Sequence, residues 1–263
     1  MGGDISQGTA GNIWQGGLPK PQGARLETTS VLSYGGGVNT TALMVKLVRE
    51  KMPFDVAVFA DTGAELPETY SYLDVAARYL ERHGVEFKIV RSRNGTLYDT
   101  CKRRKVIPSK MWRWSTRDYK ITPIHRYYRS LGTHIHQYMG IAYDEIGRMK
   151  AAMEDYITNE FPLIDWKMTR QDCIDVIRSA HLPLPVKSGC YFCPFQDIGR
   201  WQELYDKHPE LFEKAMELEE SSKHFPDQRL NVHTLRSLRE GRFQLGMPLP
   251  TLSDEPCGAY CVV

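Results

Sequence analysis

No run of about 18 apolar residues occurs in the sequence, so it holds no candidate for a membrane-spanning helix. The N-terminal residues are rich in glycine, glutamine and proline and lack a charged-then-apolar targeting pattern, so retention in the cytoplasm is the expectation. Internal repeats and low-complexity domains are absent, which excludes repeat architectures. Neither Gly-x-x-x-x-Gly-Lys-Ser/Thr nor Gly-x-Gly-x-x-Gly is present, so the two best-known phosphate loops are excluded. Charge of one sign is lacking too: the net charge is +2 over 263 residues and by itself says nothing about partners. That length suffices for one or two domains with a substantial core.

What is present begins with Val31-Leu32-Ser33-Tyr34-Gly35-Gly36-Gly37-Val38-Asn39-Thr40-Thr41-Ala42-Leu43. An apolar run meets three glycines and then apolar residues at helical spacing, which predicts strand, tight turn and helix up to about Lys51. Glycines let the backbone approach an anion, and the N–H groups at a helix start favour negative charge. Thr40 and Thr41 add hydroxyl donors. The local reading is a phosphate cradle.

Further strands are predicted at Asp55–Ala60, Glu86–Val90, His134–Ile141 and Tyr156–Ile164, the first followed by a helix from Pro67 to about His83. That same strand ends in Asp61-Thr62-Gly63, a polar turn of the kind that binds ligands at strand ends of open α/β sheets. Successive β–α units argue for a doubly wound parallel sheet. The basic segment after the third strand reads as irregular to about Trp114, 115–131 as a helix interrupted or kinked at Pro123, and 144–148 as a short helix. Thr169–Ala180 reads as a helix with Thr169 as N-cap and Asp172 three positions on. Amphipathic helices are predicted at 197–207 and 209–222. The expected division is an extended lead-in at 1–27, a nucleotide-binding α/β domain at 28–182 and a helical, cysteine-bearing region at 183–263.

Ten Lys/Arg fall between Asp99 and Ser130 against two acids: Lys102, Arg103, Arg104, Lys105, Lys110, Arg113, Arg117, Lys120, Arg126 and Arg129 face Asp99 and Asp118. Trp112, Trp114, Tyr119, Tyr127 and Tyr128 are interleaved. Basic groups with stacking rings suit a polyanion that carries bases. Six cysteines occur, at 101, 173, 190, 193, 257 and 261. In a cytosolic protein such clusters suggest metal or redox chemistry before disulfides. Cys190/Cys193 and Cys257/Cys261 form Cys-x2-Cys plus Cys-x3-Cys, four thiolates for an iron–sulfur cluster or for zinc. Cys173 reads as core, and Cys101 as a possible fifth thiol.

Taken together, these motifs resemble the N-type ATP pyrophosphatases, in their phosphoadenosine phosphosulfate reductase-like branch. Ser33–Thr41 is similar to the pyrophosphate loop, with Gly35 and Asn39 where the family carries Ser and Asp. Phe59-Ala60-Asp61-Thr62-Gly63 with Pro67-Glu68-Thr69-Tyr70 is similar to the second-strand signature. Thr116–Ile124 resembles the Cys-Cys-x-x-x-Lys-x-x-Pro segment, with Ser115 and Thr116 in place of the cysteines. Gly140-Ile141 with Glu145 and Arg148 resembles the fourth-strand end, and Ser188–Cys193 the Cys-x-x-Cys segment.

The resemblance implies an adenine nucleotide alpha hydrolase-like fold in which ATP is split between its α and β phosphates. Ser33, Tyr34, Gly35, Gly36, Gly37, Val38, Asn39, Thr40 and Thr41, with Asp61, Thr62 and Gly63, would bind ATP. Asp61 would position the nucleotide or Mg2+, while Lys120 and Arg148 would neutralise the α-phosphate. The acceptor implied is DNA or tRNA, with a sulfur donor such as a cysteine desulfurase. Two alternatives are an adenylyl sulfate reductase, which Glu255-Pro256-Cys257-Gly258 echoes, and a nucleotide-binding module without chemistry.

Overall fold

Successive side chains of the inner strands point to opposite faces, and both faces are buried, so two cores form on one sheet. The computed structural model describes residues 27–109 and 113–222, with Leu230, Leu235, Arg239 and Glu240 beyond them. The expected lead-in, Lys110, Trp112, Cys257 and Cys261 lie outside the described residues, apart from residue 27 of the lead-in. Five strands, β1 (Thr28–Ser33), β2 (Val56–Asp61), β3 (Glu86–Arg91), β4 (His134–Met139) and β5 (Ile157–Glu160), pair in the order β3-β2-β1-β4-β5. Every pair is parallel, with Val31 opposite Val56 and Gln137, and Ile135 opposite Ile157.

Leu32, Ala57 and Phe59 face α1 (Val38–Arg49), α2 (Pro67–Glu81) and α7 (Arg170–Ser179), meeting Leu43, Leu47, Leu73, Leu80 and Ile177. Their neighbours Val31, Val56, Val58 and Ala60 face the other way, onto Ile124 and Tyr128 of α5 (Thr122–Leu131). Helices on both faces make this the expected doubly wound α/β fold.

A further core forms from distant stretches. It joins α3 (Leu97–Arg104), Val106, Ile107, Trp114 of α4 (Trp114–Thr116) and Tyr119 to Tyr191, Phe192, α8 (Ile198–Lys207) and α9 (Pro209–Ser221). Trp201, Phe192 and Phe212 are fully buried in it.

Local signals explain most boundaries. Thr169 and Asp172 form a reciprocal capping box at the start of α7. Two expectations need correction. Residues 97–104 are helical: Thr96 Oγ1 accepts the Asp99 N–H and caps the segment read as irregular. The expected strand to Ile164 stops at Glu160, because Pro162 lacks an N–H for the ladder and opens the short α6 (Pro162–Asp165). Pro123 breaks nothing outright. Arg117–Ile121 widens into a π-helical turn, and the Thr122 N–H bonds to the Arg117 carbonyl five residues back.

Candidate functional site

The strand order reverses between β1 and β4, and the main pocket opens there, at the carboxyl ends of both strands. Ser33, Tyr34, Gly35, Gly37, Val38, Asn39 and Thr40 line it, as do Lys120 and Arg148. Gly36 and Thr41 sit behind this lining. Gly36 turns the chain at φ +74°, a left-handed conformation that suits glycine. Thr41 is buried and shares a 2.9 Å hydrogen bond between its hydroxyl and that of Tyr34. Burial drives the Tyr34 phenol well above its ordinary pKa, so it stays protonated.

Helix α1 starts at Gly37 without a side-chain cap and without an acid in its first turn. Its leading N–H groups are thus left to a ligand, and the helix dipole favours an anion. Gly140, just past β4, makes this approach possible. A Cβ there would lie 2.9 Å from the Thr40 nitrogen and 2.8 Å from its Cα. The fourth-strand glycine is therefore a packing requirement of the cradle itself.

Four cations line the pocket: Lys120, Arg148, Arg170 and Lys187. Two buried carboxylates accompany them, Glu65 and Glu145. Glu145 Oε2 accepts from Arg148 Nη1 at 2.7 Å and from Asn39 Nδ2 at 3.0 Å, tying the loop to the segment after β4. Lys120 projects from the π-helical turn. Such a cation-rich recess around an uncapped helix start can hold a polyphosphate and stabilise charge on a departing one.

Asp61 is brought near but not into this recess. Its Oδ1 accepts from the Gly63 N–H and the Tyr70 hydroxyl, each at 2.8 Å, and its Oδ2 accepts from Arg91 Nε at 2.8 Å. Asp61 and Gly63 do not line the pocket, and Thr62 lines a neighbouring one.

That second pocket shares Lys120 with the first. Cys190 and Cys193 meet Ser115, Thr116, Arg113 and Phe195 there. The Cys193 N–H donates to the Cys190 carbonyl at 3.0 Å, closing a tight turn between the thiols. Among the described residues no group of three or more His, Cys, Asp or Glu surrounds them. Hydroxyls line the same pocket, and the described residues bring together two of the four thiols expected. Cys101 is core, and burial pushes its thiol up to about 12.

The aromatic residues of the basic segment need correction as well. Trp114, Tyr119 and Tyr128 are buried and cannot stack on bases from solvent. Several of the cations are engaged: Lys102 pairs with Glu217 at 2.8 Å, and Arg117 with Asp118 at 2.7 Å.

The sequence reading gave no role in the pocket to Glu65, Glu145, Arg170, Lys187 or Ser188. Arg170 follows the N-cap Thr169, but nothing local shows that it reaches the pocket. Lys187-Ser188 precedes the Cys-x-x-Cys, and that adjacency was the available signal.

Residues 29–199 match the family model of the phosphoadenosine phosphosulfate reductase domain. The chain belongs to this reductase-domain family. The sheet is accordingly of the adenine nucleotide alpha hydrolase-like type. Two uncharacterized proteins of Methanocaldococcus jannaschii are relatives. One is 24% identical over 204 residues, covering 71% of this chain and 46% of the relative. The other is 22% identical over 205 residues, covering 72% and 41%. The chain thus spans less than half the length of these curated relatives.

Among solved structures, phosphoadenylyl-sulfate (PAPS) reductase from Candida auris, in a phosphate complex, is 15% identical with a TM-score of 0.44, over 60% of this chain and 74% of that one. The U34-tRNA thiolase NcsA from Methanococcus maripaludis, with its 4Fe-4S cluster, is 15% identical with a TM-score of 0.48, over 75% and 73%. No helix among the described residues is long and apolar enough to cross a membrane.

Proposed function

We propose that this reductase-domain family member binds ATP in the β1/β4 pocket and splits it between the α and β phosphates to activate an acceptor for sulfur transfer. The carrying observation is the uncapped start of α1 facing Lys120, Arg148, Arg170 and Lys187 across one recess. An acceptor oxygen attacks the α-phosphorus. The bond from that phosphorus to the bridging oxygen breaks, and pyrophosphate leaves into the glycine loop. Backbone N–H groups of the loop take up its charge, while Lys120 and Arg148 hold the α-phosphate. A sulfur nucleophile then displaces AMP from the activated acceptor.

The acceptor in this reading is DNA or tRNA, approached across the Lys/Arg-rich segment around α3 and the π-helical turn, with a cysteine desulfurase as sulfur source. Cys190, Cys193, Cys257 and Cys261 together form the proposed iron–sulfur or zinc set, in a protein acting in the cytoplasm. Metal content of anaerobically purified protein, compared with that of Cys257→Ser, tests that set. ATP–pyrophosphate exchange and AMP release with a DNA or tRNA acceptor test the reaction. Absence of both, in protein that binds the acceptor, would rule it out.

A second reading, reduction of an adenylyl sulfate through a tail thiol, is favoured by the family match over 29–199. Sulfite release from adenylyl sulfate with a dithiol reductant, lost in Cys257→Ser, would select it over the first.

A further inference from the structure

One stretch of chain lies over the glycine loop and belongs to no helix or strand. Residues 182–188 run without regular structure between α7 and the thiol turn. Near one end, the Tyr72 hydroxyl donates to the Pro183 carbonyl at 2.7 Å. Past the other end, Cys190 and Glu65 form an isolated antiparallel bridge, and the Tyr191 N–H donates to the Ala64 carbonyl at 2.9 Å. Between these anchors Leu184 and Val186 are exposed, while Lys187 and Ser188 line the recess. The segment is a strap across the mouth of the pocket.

Ser188 rests on the loop itself. A Cβ placed on Gly37 would lie 3.2 Å from the Ser188 hydroxyl oxygen, and one on Gly36 would lie 3.7 Å from Ser188 Cβ. Gly37 is the N-cap of α1, so that hydroxyl stands beside a helix start that lacks a capping side chain of its own. The threonines that follow are engaged within the loop. Thr40 Oγ1 donates to the Gly37 carbonyl at 3.1 Å, and Thr41 is buried against the Tyr34 hydroxyl.

The recess carries an independent sign of an anion. Arg148 Nη1 pairs with Glu145, yet Arg148 Nε is buried and has no hydrogen-bond partner among the described residues. A buried N–H in that state calls for an acceptor, and phosphate oxygens supply one. We infer that Ser188 is a phosphate-binding residue of this recess: its hydroxyl donates to the polyphosphate seated on Gly36 and Gly37, and the strap closes onto that charge with Lys187 beside it. The inference rests on the ATP reading of the pocket. A serine hydroxyl rotates to suit the oxygen that arrives, and its bond to a charged acceptor is stronger than to a neutral one. Because the strap lies outside helix and strand, an anion that draws it in slows its amide exchange.

The test measures binding of α,β-methylene-ATP by calorimetry to the wild-type chain and to Ser188→Ala. Thermal melting of both and amide exchange over 184–192, read by mass spectrometry, accompany it. Ser188→Ala should bind the analogue at least about tenfold more weakly at an unchanged melting temperature. In the wild type the analogue should slow exchange over 184–192, and Ser188→Ala should lose that slowing. Unchanged affinity in Ser188→Ala overturns the inference, and a lowered melting temperature beside it would assign the hydroxyl to capping α1. Slowing that persists undiminished in the variant overturns it too. If the variant does not fold, the wild-type exchange decides, and a strap that the analogue leaves untouched overturns the inference. No analogue binding by the wild type overturns the ATP reading instead.

Discussion

The nucleotide end of the sheet and the core behind the thiols solve different problems. At the β1/β4 end, short local segments place backbone N–H groups, and cations from four separate stretches converge on them. Behind Cys190 and Cys193, Trp114, Tyr119, Tyr191, Phe192, Trp201 and Phe212 bury one another, and thiols and hydroxyls face the pocket beside Arg113 and Lys120. The first region is organised by electrostatics and close backbone approach, the second by apolar volume. In the proposed function, polyphosphate takes the first region and an acceptor or sulfur carrier the second, and Lys120 lines both pockets.

The sharpest way to break this division is Trp201→Ala. The indole is fully buried among Phe192, Phe212 and their neighbours, and its loss should destabilise the chain by about 3–5 kcal/mol. Alkylation read by mass spectrometry should then reach Cys101, which the native core protects, while Cys173 under α1 stays blocked. Simultaneous labelling of both would show that the two cores open as one.

Next in size is Arg148→Ala, which removes a charged donor from the phosphate recess and leaves the buried Glu145 without its cation. Binding of an ATP analogue should weaken about 10–100-fold, and the melting temperature should fall as well. Gly140→Ala forces a Cβ against the Thr40 backbone and should cost about 1–3 kcal/mol, together with weakened analogue binding. Wild-type affinity in that variant would mean the cradle does not need this close approach.

The smallest effect concerns the contact between α2 and the α8–α9 junction. Burial raises the Glu68 pKa, but the 2.8 Å hydrogen bond from His208 Nε2, a bond from its own backbone N–H and the charges of His208 and Lys207 together outweigh it, and the carboxyl ends below its ordinary value. A depressed carboxylate pKa contributes stability above the ordinary carboxylate range, and that contribution disappears as pH falls through the lower folded value. Half-exposed pairs are weak, so Glu68→Gln should lower stability by about 0.5 kcal/mol at neutral pH and by nothing in acid. Chemical denaturation at both pH values reads this out.

Much of the first region was legible in the sequence because its signals are local. The apolar run before Gly35–Gly37 and the helical spacing after it gave β1, cradle and α1, and Thr169 with Asp172 marked α7. The second region was harder. Trp114, Tyr119 and Tyr128 sit in a basic stretch, and composition does not tell an inward ring from an outward one. The four-residue spacing of Ile124 and Tyr128 was the clue that this face is buried. Glu65, Arg170 and Lys187 escaped because only the fold brings them beside the loop. Asp61 was expected to position the nucleotide or Mg2+, and in the fold its carboxylate accepts from the Gly63 N–H, the Tyr70 hydroxyl and Arg91.

The π-helical turn at Arg117–Ile121 has one more consequence. An α-helix advances about 100° per residue, so the extra residue held in a widened turn sets the rotational phase between the helical segments on its two sides. Excising one residue there would let the helix close into regular α geometry. Trp114, Ser115 and Thr116 would then turn by roughly a quarter of a revolution relative to α5. Trp114 would leave its core and the two hydroxyls would swing off the thiol pocket, although no side chain in either had been altered. Helical phase, as much as residue identity, decides what faces Cys190.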